Sequence, residues 1–183
     1  MILSVIGVWR SDRAGYKKLS GETMSSKSIV VSETRSGLHI RFHLLEQQAP
    51  ESTEFLWDLL VTPREMPAIH AMWTGPEISC PIPTAMIDPQ RNARALAPEN
   101  ATVTPQAGDL VLAYVPARMW GGNPQPVFDL GFFYGPGGRM LFPIGWLAGN
   151  VVARVERDDL EALAAGCGAI RRAGACMLSL SRA

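Results

Sequence analysis

The strictest constraint on the fold is the run LHIRFHLL, from Leu38 to Leu45. Leu38, Ile40, Phe42 and Leu44 alternate with His39, Arg41 and His43, the period of a strand with one face on a core and the other in water. A one-residue slip would turn every side chain to the wrong side, so burial fixes the register. Arg35-Ser36-Gly37 joins this run to SIVVSET, Ser28 to Thr34, as a hairpin loop in which glycine supplies positive φ. Two histidines on one face raise the question of a metal. Four residues of strand separate His39 from His43 by about 13 Å, whereas zinc holds each ligand nitrogen at about 2 Å. The two histidines therefore read as a solvated face.

The same reasoning carries along the chain. Pro50 suits the first turn of a helix, Glu51 and Glu54 complement its positive start, and Phe55, Leu56, Leu59 and Leu60 share a face. Thr62-Pro63 ends it. Strand-like runs follow on either side of Thr74-Gly75-Pro76, with His70 and Trp73 ending the first and Glu77 opening the second. Residues 84–98 form a long irregular passage and 116–126 a second loop, carrying Arg118, Met119 and Trp120. Leu110–Val115, Val127–Tyr134 and Val151–Val155 read as strands, and Val151–Val155 is taken as the last. Asp158 is placed to cap a final helix with the stripe Leu160, Leu163, Ala164, Cys167 and Ile170, followed by a fraying tail from Arg171. Residues 1–27 lack any sustained period and read as a tail, with Met24 an alternative start; 28–183 read as one domain. About eight strands with an early and a late helix predict a mainly β protein: a closed β-barrel with two capping helices.

Composition narrows the partners. Seventeen basic and seventeen acidic side chains cancel, which argues against nucleic acid or an anionic membrane surface, since both call for a basic excess. No run reaches the length of a membrane-spanning helix, and Met1–Val8 lacks the basic start of a secretory signal. Three scattered cysteines, Cys80, Cys167 and Cys176, favour reduced thiols and a cytoplasmic location over a disulfide framework. Association into a homo-oligomer is compatible with this composition. No phosphate loop, Cys-x-x-Cys or His-x-His signature is present, so no cofactor and no metal are expected.

The chemistry is concentrated in PAIHAMWTGPEISCPIP, Pro67 to Pro83, where a histidine, a tryptophan, a carboxylate and a cysteine fall within eleven positions. Residues that flank a turn stand at a barrel mouth, where ligands enter. His70 titrates near neutrality; Glu77 and Glu99 are candidates to orient it or to act as acid and base. Trp73 and Trp120 offer apolar contact to a planar ligand. The candidate ligand-binding set is thus His70, Trp73, Glu77, Glu99 and Trp120, with His70, Glu77 and Glu99 as catalytic candidates. The alternative reading makes His70 a hydrogen-bonded barrel residue, Glu77 a solvent-facing strand residue, Trp73 ordinary core and Glu99-Asn100 a fixed turn. Cys80 has no basic neighbour in sequence and reads as core.

Ala49-Pro50, His70-x-x-Trp73-x-Gly75-x-Glu77, Pro98-Glu99-Asn100, Gly108-Asp109 and Leu147-Ala148-Gly149-Asn150 together resemble an uncharacterised bacterial family with a cyclophilin-like barrel, over Ser28 to Glu156. The resemblance implies the barrel and no settled activity. The FHR and QGGD segments through which prolyl isomerases resemble one another are absent; the nearest string is Arg41-Phe42-His43. Fold alone does not transfer function. The expected function is binding of a small polar metabolite at the barrel mouth, as a hydrolase, an isomerase or a subunit of one. The alternative is a non-catalytic interaction subunit, and a third reading is a prolyl isomerase.

Overall fold

The computed structural model describes residues 27–183. The expectations of a tail over 1–27 and a start at Met24 fall outside the described residues, apart from Lys27. Among the described residues, eleven strands and three α-helices follow one another: β1 (Ser28–Glu33), β2 (Leu38–Leu44), α1 (Pro50–Leu59), β3 (Arg64–His70), β4 (Glu77–Pro81), α2 (Pro89–Asn92), β5 (Ala101–Thr102), β6 (Asp109–Val115), β7 (Val127–Phe133), β8 (Leu141–Phe142), β9 (Gly145–Trp146), β10 (Gly149–Val155), α3 (Leu160–Ala173) and β11 (Ala175–Arg182). Eight of the strands close into an antiparallel barrel in the order β2, β1, β11, β3, β4, β7, β6, β10 and back to β2. β10 closes the ring by dividing one edge: Gly149 and Asn150 pair with β5, while Ala153 to Val155 pair with β2. A register shift between Val151 and Ala153 lets it do so.

The alternation in β2 holds. Leu38, Ile40, Phe42 and Leu44 are buried, His39 and Arg41 are exposed, and His43 is partly covered with Nε2 at 3.5 Å from Glu156. Inward residues of the other strands fill the barrel, among them Met66, Ile78, Cys80, Leu110, Leu112, Phe128, Leu130, Phe132, Leu178 and Leu180. Phe42 meets Phe132 edge to face at 5.7 Å. α1 closes one end, where Phe55 stacks on Phe128 at 4.9 Å. α3 closes the other with Leu163, Cys167 and Ile170. Gly166 lets α3 approach β2, because a β-carbon there would lie 2.7 Å from Leu38 Cδ1.

Two expectations of the chain path change. The segment after Arg171 does not fray: Gly174 stops α3 with φ 88°, and ACMLSLSR inserts as β11 between β1 and β3. Val151–Val155 is therefore not the last strand. Trp73 does not end a strand; β3 stops at His70 and Trp73 stands in the connection to β4.

Candidate functional site

Strand parity decides which groups meet. On β4, Ile78 and Cys80 point inward, so Glu77, Ser79 and Pro81 belong to the outer surface of the wall. On β7, Phe128, Leu130 and Phe132 point inward, which puts Asp129 and Gly131 outside. Ser79 pairs with Gly131 and Pro81 with Asp129, so the Glu77, Ser79 and Asp129 side chains fall on one patch of outer wall. The patch is the floor of a pocket of about 370 Å³, a size typical of small-molecule sites. Its walls are apolar: Ile69, Ala113, Val115 and Val127 from the barrel strands, with Met72, Trp73 and Trp120 from the loops above and Phe142 from β8. Trp120 is held between two other rings, edge to face with Trp73 at 5.9 Å and with Phe142 at 6.1 Å. The 116–126 loop and the β8–β9 hairpin thus join the β3–β4 connection as one aromatic roof.

The floor is acidic. The Glu77 carboxyl is buried and accepts a hydrogen bond from the Thr74 hydroxyl. Burial pushes its pKa up to about 8; the neighbouring Asp129 charge adds to the rise and the Thr74 bond opposes it. Burial also raises Asp129, to about 6, against the lowering effect of the Ser79 hydroxyl and the Cys80 amide. Ser79 Oγ donates to Asp129 Oδ2 at 2.8 Å, while Oδ1 has no partner among the described residues. No lysine or arginine lines this pocket. Two carboxyls in an apolar enclosure without a cation hold a proton between them near neutral pH.

His70 lies elsewhere. It shares the inward parity of Met66 and Ala68, at the rim of the barrel end that α3 covers. Its Nε2 is 2.8 Å from the Tyr134 hydroxyl. Burial first, and the charge of Arg171 second, lower its pKa, against a raising contribution from Ala71. It lines a second, more open cleft of about 620 Å³ with Arg139 and Arg171. Ala71 and Met72 border both cavities.

Glu99 is at the opposite end of the barrel. The start of α1 has no side-chain cap of its own. Glu99 supplies one from a distance, accepting from the amides of Glu51 (3.0 Å) and Ser52 (2.8 Å) and from the Ser52 hydroxyl (2.8 Å). Partial burial works to raise its pKa, but these bonds and the charge of Arg91 outweigh it, and the net shift is downward. Asn150 ties the assembly together, accepting from the Glu99 amide and donating to Ser52 Oγ. Asn100 fixes the turn beside it by donating to the Val151 carbonyl.

The expected cavity through His70, Trp73, Glu77 and Glu99 is therefore not formed. Trp73, Glu77 and Trp120 come together, His70 faces a neighbouring cleft, and Glu99 caps a helix. The pocket over Glu77 opens on the outer wall and not at the barrel mouth. Asp129 was missed, although an acid within the apolar run VFDLGFFY was a signal: a strand of that composition has no ordinary use for a carboxylate. Cys80 is buried core, its thiol pushed up by burial. Among the described residues no group of three or more His, Cys, Asp or Glu is arranged to hold a metal ion, and no helix is long and apolar enough to cross a membrane.

Comparison with known proteins bears on the barrel. The chain is similar to McbB, solved in complex with tryptophan, with a TM-score of 0.60 and 19% identity over 84% of this chain and 44% of that one. It thus spans less than half the length of that neighbour. It is also similar to the hypothetical protein AF2241 from Archaeoglobus fulgidus, with a TM-score of 0.47 and 19% identity over 89% of this chain and 99% of that one. No curated protein matches. Residues 31–182 match the family described as "Protein of unknown function (DUF3830)", and the chain belongs to that family.

Proposed function

We propose that the protein binds a small organic molecule beneath the Trp73–Trp120 roof and transfers protons to and from it through the Glu77–Asp129 carboxyl pair. The observation that carries this reading is the unneutralised carboxyl pair on the floor of an apolar pocket, with one Asp129 oxygen lacking a partner. Such a floor costs stability unless a ligand supplies the missing donor. Near neutral pH a buried carboxyl pair that shares one proton gives both halves of an acid–base catalyst. The chemistry fits an isomerase or a hydrolase, and the ligand fits a planar, apolar body bearing an amine or amide donor. Buried free thiols support the expected cytoplasmic setting. A prolyl isomerase fits less well, because the polar groups of this pocket are acids and it contains no arginine.

The test is a thermal-shift and tryptophan-fluorescence screen of aromatic amines and amino acids. Tryptophan itself is included because McbB was solved with it. A ligand at a hundred times its Kd adds about 2.7 kcal/mol of stability. Asp129→Asn and Glu77→Gln should each weaken a hit about tenfold or more. Hits that bind both variants as tightly as the parent would sink the assignment of the floor.

A second reading, a non-catalytic interaction subunit, is favoured by the rim. Ile69, Met72 and Trp73 of the pocket lining are exposed to between 40% and 72%, and Met119, next to Trp120 in sequence, to 45%, an apolar surface suited to a partner or a second copy. Met72→Gln compared with the parent by light scattering separates the two: loss of an oligomer favours this reading, and an unchanged monomer favours the first.

A further inference from the structure

The cleft beside the pocket has the opposite electrostatic character. Its charged or titratable lining residues are His70, Arg139 and Arg171, and no carboxylate lines it. Three different segments deliver them: the end of β3, the loop after β7 and the last turn of α3. Among the described residues no carboxylate forms an ion pair with either guanidinium. Arg139 is anchored through its backbone, whose amide donates to the Thr74 carbonyl at 2.9 Å, and its side chain is exposed. Arg171 lies close enough to Tyr134 and to His70 for its charge to act on both. The Tyr134 hydroxyl lies 2.8 Å from His70 Nε2. Burial lowers the pKa of His70, and the Arg171 charge lowers it further.

We infer that this cleft receives the anionic group of the ligand whose body lies in the neighbouring pocket, so that the substrate class is an organic anion, a carboxylate or a phosphate monoester on a flat apolar body. The inference rests on the reading of the pocket given above. Ala71 and Met72 line both cavities, so the two adjoin across the β3–β4 connection. Two guanidiniums brought to one cleft from different segments suit an anion, since their planar forks donate in pairs to carboxylate and phosphate oxygens. The two cavities then divide the work: the acidic floor takes the donor of the ligand, and the basic cleft sets its orientation and rejects neutral analogues.

The probes are sulfate, standing for a phosphate ester, and acetate, standing for a carboxylate, titrated at constant ionic strength made up with chloride because exposed arginines are screened by salt. The readout is the imidazole proton signal of His70 in NMR, identified by its loss in His70→Asn. At least one probe should move this signal saturably where chloride does not, and the tighter probe identifies the anion. Arg139→Ala and Arg171→Lys should each weaken that probe by about ten- to a hundredfold, while Asp129→Asn leaves it unchanged. A His70 signal that responds to neither probe beyond chloride overturns the inference. If pocket ligands are found all the same, the cleft falls and the reading of the pocket stands. If an anion binds while every pocket hit ignores Glu77→Gln and Asp129→Asn, the cleft stands and that reading falls.

Discussion

The Glu77 carboxyl lies over Gly131 of the facing strand, in the space that a β-carbon at position 131 would occupy. That β-carbon would collide with Glu77 Oε1 and come within 3.1 Å of its carboxyl carbon and 3.0 Å of Phe133. Glycine is therefore the residue that permits an acid on the floor. Gly131→Ala should expel the carboxyl at an overpacking cost of about 1 to 3 kcal/mol. It should also abolish ligand effects that depend on Glu77. A variant that keeps both parental stability and a parental response to Glu77→Gln would show that the carboxyl does not need this space.

Stability should fall as pH rises across neutrality. Burial lifts Glu77 from 4.5 to about 8, so the folded chain keeps a proton that the unfolded chain has released. Below the unfolded value both states are protonated and the group makes no difference. Between the two values the folded state binds more protons, and stability declines with rising pH. Asp129, lifted from 3.8 to about 6, acts in the same direction over the lower part of the window. The combined loss from about pH 5 to about pH 8.5 is on the order of a few kcal/mol. Melting curves of the parent should show it, and Glu77→Gln should flatten most of it. A flat parental profile would mean that the pair is not held protonated.

Glu99 should matter to folding and not to ligand. Glu99→Ala removes the remote cap of α1 and should cost about 0.5 to 2 kcal/mol, with ligand affinity at the Glu77 pocket unchanged. Lost affinity at full stability would place Glu99 in a site after all.

Phe42 and His43 are neighbours in sequence and opposites in environment. Phe42 is fully buried against Phe132, and Phe42→Ala should cost about 3 to 5 kcal/mol. His43 is partly exposed, and His43→Ala should cost less than about 1 kcal/mol. Denaturant midpoints of the two variants check the register directly; equal losses would refute it.

The barrel was legible where a period of two ran long enough to exclude other readings, as in Leu38–Leu44, or where a turn was marked, as at Thr74-Gly75-Pro76. β11 was legible too and was overlooked. Cys176, Leu178 and Leu180 alternate with Met177, Ser179 and Ser181 behind a helix-stopping Gly174, but the apolar set is short and looks like a tail. The site was harder for a physical reason. Alternation tells which residues share a face and not which face lines the barrel, so Glu77 and His70, seven positions apart, read as companions although they lie on opposite sides of the wall. Pairing across strands is invisible as well: nothing near Glu77 in sequence announces Asp129, fifty-two positions on. Glu99 was misassigned because a carboxylate that caps a distant helix and one that binds a ligand carry the same letter.

The first strand of the barrel pairs with the last. Ser32 lies opposite Ser179 and Ile29 opposite Arg182, with β11 wedged between β1 and β3. During synthesis, everything from Ser28 to Gly174 can leave the ribosome while the ring still has a gap one strand wide. Until the final eight residues of β11 emerge, β1 and β3 each present an open edge that another chain could take. The pairings that seal the ring are also among the most distant in sequence, which makes closure slow as well as late. A nascent chain stalled before Ala175 is thus the form most exposed to aggregation, and one that a chaperone would need to shield.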